Sequence, residues 1–423
     1  MKTQHHQIAI IGAGTAGITV AAQLLRKDKN LDIAIIDPAE THWYQPAWTL
    51  VAADTYKMKN TARPMSSVIP KRSKWIKDFV DKINADKNEL TLRSGDTITY
   101  DYLIAAPGIQ IDLDGIEGLR ETIGKNGVCS NYIDPEYSLE VLKNFKGGNA
   151  IFTQAATPIK CGGAPQKIMY LADDYLRKAG LREKTNILYP MPGSILFGVP
   201  EFLPALMAVV DRKDIGLKFF HKLVKIDGPN KLAYYEITLP EGDSRPTDYH
   251  TKDELMNIKK VDNLVVVPFE MLQLAPPQSA PDFIKKSTLA YQEGPNKGWI
   301  EVDINTLQHP RYANVFGIGD AAALPTAKTG AAIRKQAPVL VANLLSLMKN
   351  EALTEQYEGY SSCPIVTGYG SLVLAEFKYN NVRDTDKLIG KFVDTTKESY
   401  WMWLLKKFGL PFMYWKLMLR GKA

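Results

Sequence analysis

Three glycines near the N-terminus constrain this chain more than any other feature. The run Ile8-Ala9-Ile10-Ile11 is apolar without alternation, the pattern of a strand buried on both faces. Gly12-Ala13-Gly14-Thr15-Ala16-Gly17 follows, and then Ile18, Ala21, Ala22 and Leu25 recur at helical spacing. A second apolar stretch, residues 33–36, ends at Asp37. Strand, G-x-G-x-x-G turn, helix and a second strand closed by an acid predict a dinucleotide-binding βαβ unit. Gly12 permits the tight turn, Gly14 lets a pyrophosphate approach the backbone, and Gly17 lets the helix sit close to the strand. The N–H groups and dipole at the helix start hold the phosphates. Asp37, 20 residues beyond Gly17, is placed to accept hydrogen bonds from an adenosine ribose.

Later segments extend the same design. Residues 100–108 (YDYLIAAPG) read as a buried strand ending in a turn. Residues 314–320 (NVFGIGD) read as another, before an alanine-rich helix over 331–345. Asp320 is a candidate to bind a ribitol hydroxyl, the simpler alternative being a helix N-cap. The middle, about 115–300, carries strand candidates at 149–152, 186–189 and 264–267 and a helix candidate at 166–178. It predicts a second α/β layer inserted into the first. That layer has no second G-x-G-x-x-G, because TQAATP and PMPGS follow its first two strands. One dinucleotide site is expected, and a nicotinamide site is disfavoured.

A chain of 423 residues, 45% of them hydrophobic, suits two or three domains and is too apolar for long-range disorder. The net charge of +6 is concentrated at the end, where Lys397, Lys406, Lys407, Lys416, Arg420 and Lys422 face only Glu398. A nucleic-acid partner is disfavoured, since it would call for basic charge spread over a folded face. The same segment holds Tyr400-Trp401-Met402-Trp403-Leu404-Leu405 and the run from Phe408 to Trp415. Aromatics between lysines suit a membrane surface; a helix packed on the core or on another subunit is the alternative. Met1–Gln7 is polar, so no secretory signal is expected, and no run reaches the ~18 apolar residues of a spanning helix. The expectation is a monotopic protein on the cytoplasmic face of a membrane.

Three cysteines are too few for a disulfide scaffold, and the six histidines show no ligand spacing, so no metal centre is expected. Cys161 lies in TPIKCGGAPQK, where Lys160, Lys167 and a helix start would favour the thiolate. Cys363 lies in SSCPIVTG and reads as a loop residue beside Pro and Gly. Cys129 reads as a small buried apolar residue. Spacing leaves open whether Cys161 and Cys363, 202 residues apart, meet at all.

Six stretches carry a resemblance: HWYQPAWTLVAA (42–53), PIKCGGAPQKIMYL (158–171), LQHPRYANVFGIGD (307–320), LPTAKT (324–329), SSCPIVTGYGSLVLAEF (361–377) and PFMYWKLMLRG (411–421). In order, and across almost the whole chain, they resemble the sulfide:quinone oxidoreductases, in the branch that includes the mitochondrial enzyme. The resemblance implies an α/β fold of the flavin disulfide reductase superfamily. Two Rossmann-like domains of the FAD/NAD(P)-binding type are followed by a C-terminal amphipathic membrane-binding region. The corresponding division is 1–115 and 301–350 for the FAD domain, 116–300 for the second domain, and 351–423 for the cysteine and membrane region.

The same resemblance implies FAD as cofactor and Cys161 and Cys363 as a redox pair, bridged by a disulfide that often holds an extra sulfur. Sulfide attacks the bridge, two electrons pass to FAD and on to a membrane quinone, and a thiol, sulfite or polysulfide takes the sulfane sulfur. FAD contacts are implied for Gly12, Gly14, Thr15, Ala16, Gly17, Asp37, Gln45, Val80, Asp320 and Lys328. Lys406 falls where the family has a lysine near the quinone, with a snorkelling surface lysine as the alternative. Association between copies of the chain is left open. Two departures stand out. Cys129 occupies a position where the mitochondrial-like branch lacks cysteine, and Ala106-Pro107-Gly108 replaces the more usual Thr-Gly or Leu-Gly ending. The rivals are an NAD(P)H-dependent flavoprotein quinone reductase, like the type II NADH dehydrogenases, and a non-catalytic membrane flavoprotein.

Overall fold

The computed structural model describes residues 2–423. Its first layer is built on β1 (Thr3–Ile11), α1 (Thr15–Lys27), β2 (Ile33–Ile36), β3 (Lys74–Ile76), β4 (Val80–Asn84), β5 (Glu89–Leu92) and β6 (Thr97–Ala105). The strand order is β3-β2-β1-β6-β5-β4. The first four strands are parallel, with Ile10 between Ile35 and Ile104, and the β4–β5 hairpin closes the edge. Ile8, Ala9 and Ile10 are fully buried, which is why this run is apolar without alternation. β6 is long enough to carry two neighbours on one edge. Its first residues pair with β5, and its last three pair with residues 315–317, which return from far along the chain.

The second layer is also mostly parallel. Val128–Cys129, β7 (Gly148–Thr153), β8 (Thr185–Pro190), β9 (Ile215–Lys218) and β10 (Met271–Leu274) form it, with α2 (Ala164–Lys178) leaving the end of β7. One expectation is corrected here. Residues 264–267 join a separate four-stranded antiparallel sheet instead of this layer. The turn Asp262-Asn263, with Asp262 in left-handed backbone, sends the chain straight back on itself. An apolar run reads alike for both strand types, so periodicity could not separate them.

The chain then supplies β11 (Val315–Gly317) to the first layer, followed by α3 (Gly330–Met348), the hairpin β12 (Ser361–Gly368) and β13 (Ser371–Lys378), and the tail helices α4 (Tyr400–Leu404) and α5 (Leu410–Lys416). α3 does not follow Asp320 directly. A single 3₁₀ turn, Gly319–Ala321, and a loop intervene, and Thr329 caps the helix by accepting the Ala332 N–H at 3.1 Å. A second correction concerns Cys363, which lies in β12 opposite Ala375 and not in a loop. The Pro364 that suggested a loop is part-buried on β12, the edge strand of its sheet, where its missing N–H is tolerated. The tail uses both its faces. Met402, Lys406, Pro411, Tyr414, Met418 and Leu419 turn inward, while Tyr400, Trp401, Phe408 and Phe412 stand exposed. Among the described residues no helix is long and apolar enough to cross a membrane.

Candidate active site

The glycine turn is built for a phosphate. Gly12 has φ +98°, and a Cβ there would stand 2.4 Å from the Ala106 carbonyl oxygen. A Cβ at Gly17 would stand 1.9 Å from the Gly12 carbonyl oxygen, so α1 can approach β1 this closely only without a side chain. Gly14 differs: a Cβ there would meet nothing within 4 Å, and the space outside it is open. The first helical hydrogen bond runs from the Ile18 N–H to the Gly14 carbonyl, so the N–H groups of Thr15, Ala16 and Gly17 point out of the helix start. Asp37 takes the Ala13 N–H on Oδ2 at 2.7 Å and the Ala39 N–H on Oδ1 at 2.8 Å. It thereby stiffens the turn. Gly319 packs against Ala16, which brings Asp320 to the same helix start. Open space beside three orphan donors is what a dinucleotide pyrophosphate requires, and the residues fit that group.

The two remote cysteines meet. α2 places Cys161 just before its first turn, with φ +86°, a left-handed conformation that few non-glycine residues adopt. β12 brings Cys363 onto Gly163, where an added Cβ would stand 2.5 Å from the Cys363 sulfur. Gly163 is therefore the residue that admits the second sulfur. The hydrogen bond from the Cys363 thiol holds Cys161 well below the usual thiol range, and the Lys167 ammonium, 3.1 Å from its sulfur, adds to this. Cys363 is pushed the other way by donating that hydrogen bond and by burial. The contact with Lys167 thus favours the thiolate on Cys161 and leaves Cys363 as the donor of the pair. Both are free.

Lys167 was not among the candidate site residues, although with Lys160 it was expected to favour the Cys161 thiolate, and it is the one of the two that reaches the sulfur. It is 3% exposed in the first turns of α2, and both cysteines hold its ammonium charged despite that burial. The available signal was its i+6 position across a helix start, which cannot be told from an ordinary surface lysine by spacing. Tyr132 was also missed. Its buried hydroxyl donates to the Cys161 carbonyl at 3.2 Å and holds that strained residue in place.

Lys406 is not a snorkelling lysine. The turn of π-helix at residues 405–409 points it inward, where it is 4% exposed and donates to the Pro46 carbonyl at 2.8 Å. Burial and the nearby Lys167 charge lower it from 10.5 to about 8, against the pull of both cysteines. The sign follows from its folded value lying below the unfolded one. Carrying this charge costs stability in full below about pH 8 and nothing above about pH 10.5, about 3 kcal/mol in all. We expect Lys406→Met to raise the melting temperature by a few degrees at pH 7. The gain should fade as the pH approaches 10.5, read by thermal melts across that range.

The other candidates are distributed as follows. Gln45 accepts from the Lys160 ammonium at 2.6 Å, and the Lys160 backbone bridges to Lys328, so these three stand together beside Cys161. Lys160 has no contact with the Cys161 sulfur; Lys167 makes it. Lys328 donates to the carbonyls of Asp320 (2.7 Å) and Ala322 (3.1 Å), lies over the Trp299 ring, and is lowered to about 8 by burial. Burial raises the Asp320 carboxyl, with Lys328 and Lys160 pulling it back. Val80 opens β4 within the buried core of the first layer and is apart from the cysteine cluster. Cys129 is also apart, fully buried with its sulfur on the Gln273 side-chain oxygen at 3.1 Å.

A phosphate-binding βαβ unit with a cysteine pair assembled from the start of α2 and from β12 defines a dinucleotide-dependent oxidoreductase. Residues 6–139 match the family model described as pyridine nucleotide-disulphide oxidoreductase. More narrowly, the chain belongs to the sulfide:quinone oxidoreductase family. It is 40% identical over 420 residues to the mitochondrial sulfide:quinone oxidoreductase of Mus musculus, covering 99% of this chain and 87% of that one. In fold it is similar to the sulfide:quinone oxidoreductase of Aquifex aeolicus, with TM-score 0.77 at 19% identity over 100% of this chain and 92% of that one. It is less similar to NDH2 of Plasmodium falciparum in complex with NADH, with TM-score 0.63 at 11% identity over 99% of both chains.

Proposed function

We propose that this chain oxidises sulfide to sulfane sulfur through Cys161 and Cys363 and passes two electrons through FAD to a membrane quinone. The observation that carries the reading is a pair of cysteines, Cys363 buried and Cys161 part-buried, brought together at Gly163 and braced by Lys167, in a chain that also carries a turn shaped for a dinucleotide. FAD would be held by the N–H groups of Thr15, Ala16 and Gly17, by the open face of Gly14, and by Asp37 at the ribose. Gln45, Asp320, Lys328 and Val80 would complete its site. Bound FAD supplies a two-electron acceptor for sulfur and a two-electron donor for quinone.

The chain's own residues do the rest. Lys167 and Lys406 attract the HS⁻ anion into a buried, low-dielectric site. HS⁻ attacks the oxidised Cys161–Cys363 bridge at the Cys363 sulfur. A new S–S bond forms there, the bridge breaks, and its electron pair leaves on Cys161. The products are a Cys363 persulfide and a Cys161 thiolate. Support for this direction comes from the opposite shifts of the two thiols, because the sulfur with the lower pKa is the better leaving group. Lys167 then holds the thiolate charge at 3.1 Å. A small thiol, sulfite or polysulfide takes the outer sulfur and leaves Cys363 as a thiolate; re-forming the Cys161–Cys363 bond then releases the two electrons that FAD would accept.

The exposed Tyr400, Trp401, Phe408 and Phe412, with Lys407 and Lys416 among them, dock the chain on a bilayer without crossing it. Lys406 lies beneath that face and would meet the quinone head. In this reading the chain docks on the cytoplasmic face of the membrane, and the same tail is the surface available for association between copies of the chain. The return of β11 to the first sheet supports a division into 1–115 with 301–350, then 116–300 and 351–423.

Anaerobic titration of the purified chain with sulfide tests the activity. Sulfide should bleach the flavin absorbance within the mixing time, and NADH should leave it oxidised. Bleaching by NADH and not by sulfide would select the NADH-dependent quinone reductase.

A further inference from the structure

The last residues of the chain reach the phosphate turn. Tyr414, on α5, is 4% exposed, and its hydroxyl lies 2.6 Å from His42 Nε2 and 2.8 Å from Thr15 Oγ1. His42 Nδ1 lies 3.2 Å from the Ala13 carbonyl oxygen. A carbonyl can only accept, so Nδ1 carries the proton and Nε2 accepts from Tyr414. Thr15 must then donate to the Tyr414 oxygen. The direction of every proton in this chain follows from one carbonyl in the glycine turn. Burial keeps His42 neutral down to about pH 4, so Nε2 remains an acceptor.

Packing reinforces the contact. The Tyr414 ring stacks on His42 (centroids 5.9 Å apart) and packs on Tyr44 (4.7 Å), and Trp415 packs edge-on against His42 (5.8 Å). Further along, Gly421 presses on α1 so closely that a Cβ would stand 2.7 Å from the Ala22 backbone. Gln23 donates to the Ala423 carbonyl at 3.0 Å. The tail thus holds α1 at its first turn and again at its middle, while Phe412, two residues before Tyr414, is exposed on the opposite face.

We infer that Tyr414 and His42 are positioning residues that lock the Ala13–Thr15 turn in its phosphate-binding shape, making the membrane-facing tail a latch on the cofactor. The Thr15 hydroxyl is committed inward to Tyr414, which leaves the backbone N–H groups at the helix start to meet the pyrophosphate. The inference rests on the FAD reading above. Linkage requires the converse effect as well: FAD must tighten the tail.

The test is FAD titration of the full-length deflavinated chain, followed by flavin fluorescence. Parent protein that binds no FAD would overturn the cofactor reading itself. Given parent binding, Tyr414→Phe keeps the ring and removes the hydroxyl, and should raise the FAD Kd roughly ten-fold. His42→Phe should do the same. The double variant should be no worse than the poorer single one, because the three groups act as one chain. FAD should also slow trypsin cleavage after Lys416 in the parent and do so less in Tyr414→Phe. An unchanged Kd overturns the latch. Additive losses in the double variant overturn it too, as does a fall in the melting temperature of the FAD-free variants that accounts for the weaker binding.

Discussion

Replacing Cys363 by serine will lower sulfide-dependent reduction of a quinone analogue by a factor of about 10³ or more, with FAD still bound. Cys161→Ser will do the same. The hydroxyl that remains is neither a thiol nor a leaving group at neutral pH, so no bridge can form and sulfide has nothing to attack. The fold should survive both changes. Cys363 is 2% exposed in β12, and serine is smaller, so the site takes it without overpacking. Stopped-flow mixing with sulfide and a count of bound flavin check the two halves separately. Sulfide-dependent turnover within ten-fold of the parent in either variant would remove the cysteine pair from the mechanism.

Lys167→Met should be nearly as damaging for a different reason. Methionine has similar bulk and no charge, so the site stays filled while the thiolate loses its counterion. An anion left in that burial without a cation is costly, and the Cys161 pKa must rise. Losing a charge-assisted contact of this kind should lower activity by about 10², and the pH profile of Cys161 alkylation should move to higher pH. Lys167→Arg keeps the charge and should restore part of the loss. A methionine variant whose alkylation profile matches the parent would show that Lys167 only fills space.

These two experiments address residues that were unequally visible beforehand. Cys161 drew attention in the sequence because glycine, proline and lysine surround it. Cys363 was misread as a loop residue, since Pro364 follows it and a single proline looks the same in a loop and in the outer side of a hairpin. Lys167 was read together with Lys160 as favouring the thiolate, and spacing could not say which of the two touches the sulfur; Tyr132 carried no signal. Their roles come from contacts across α2 and from the β7 end, and neither contact has a fixed spacing. Lys406 was found by resemblance alone, with burial undecided, because a lysine among aromatics in an amphipathic tail can point either way. The tail itself posed the same difficulty. Its density of apolar residues suggested a lipid surface or a packed helix as alternatives, and the structure has a packed inner face opposite an exposed aromatic one.

The sequence by itself determined the dinucleotide turn. Its requirements are local: a positive φ at Gly12, open space at Gly14 and a close approach at Gly17, all within six residues. Such needs write themselves directly into residue type. Only the tertiary structure decided that Cys161 and Cys363 touch, that Lys167 supplies the charge between them, and that Tyr414 reaches Thr15 across almost the full length of the chain. Those contacts are made by separate elements packing together, and packing constrains volume and polarity at each position without fixing any distance along the sequence.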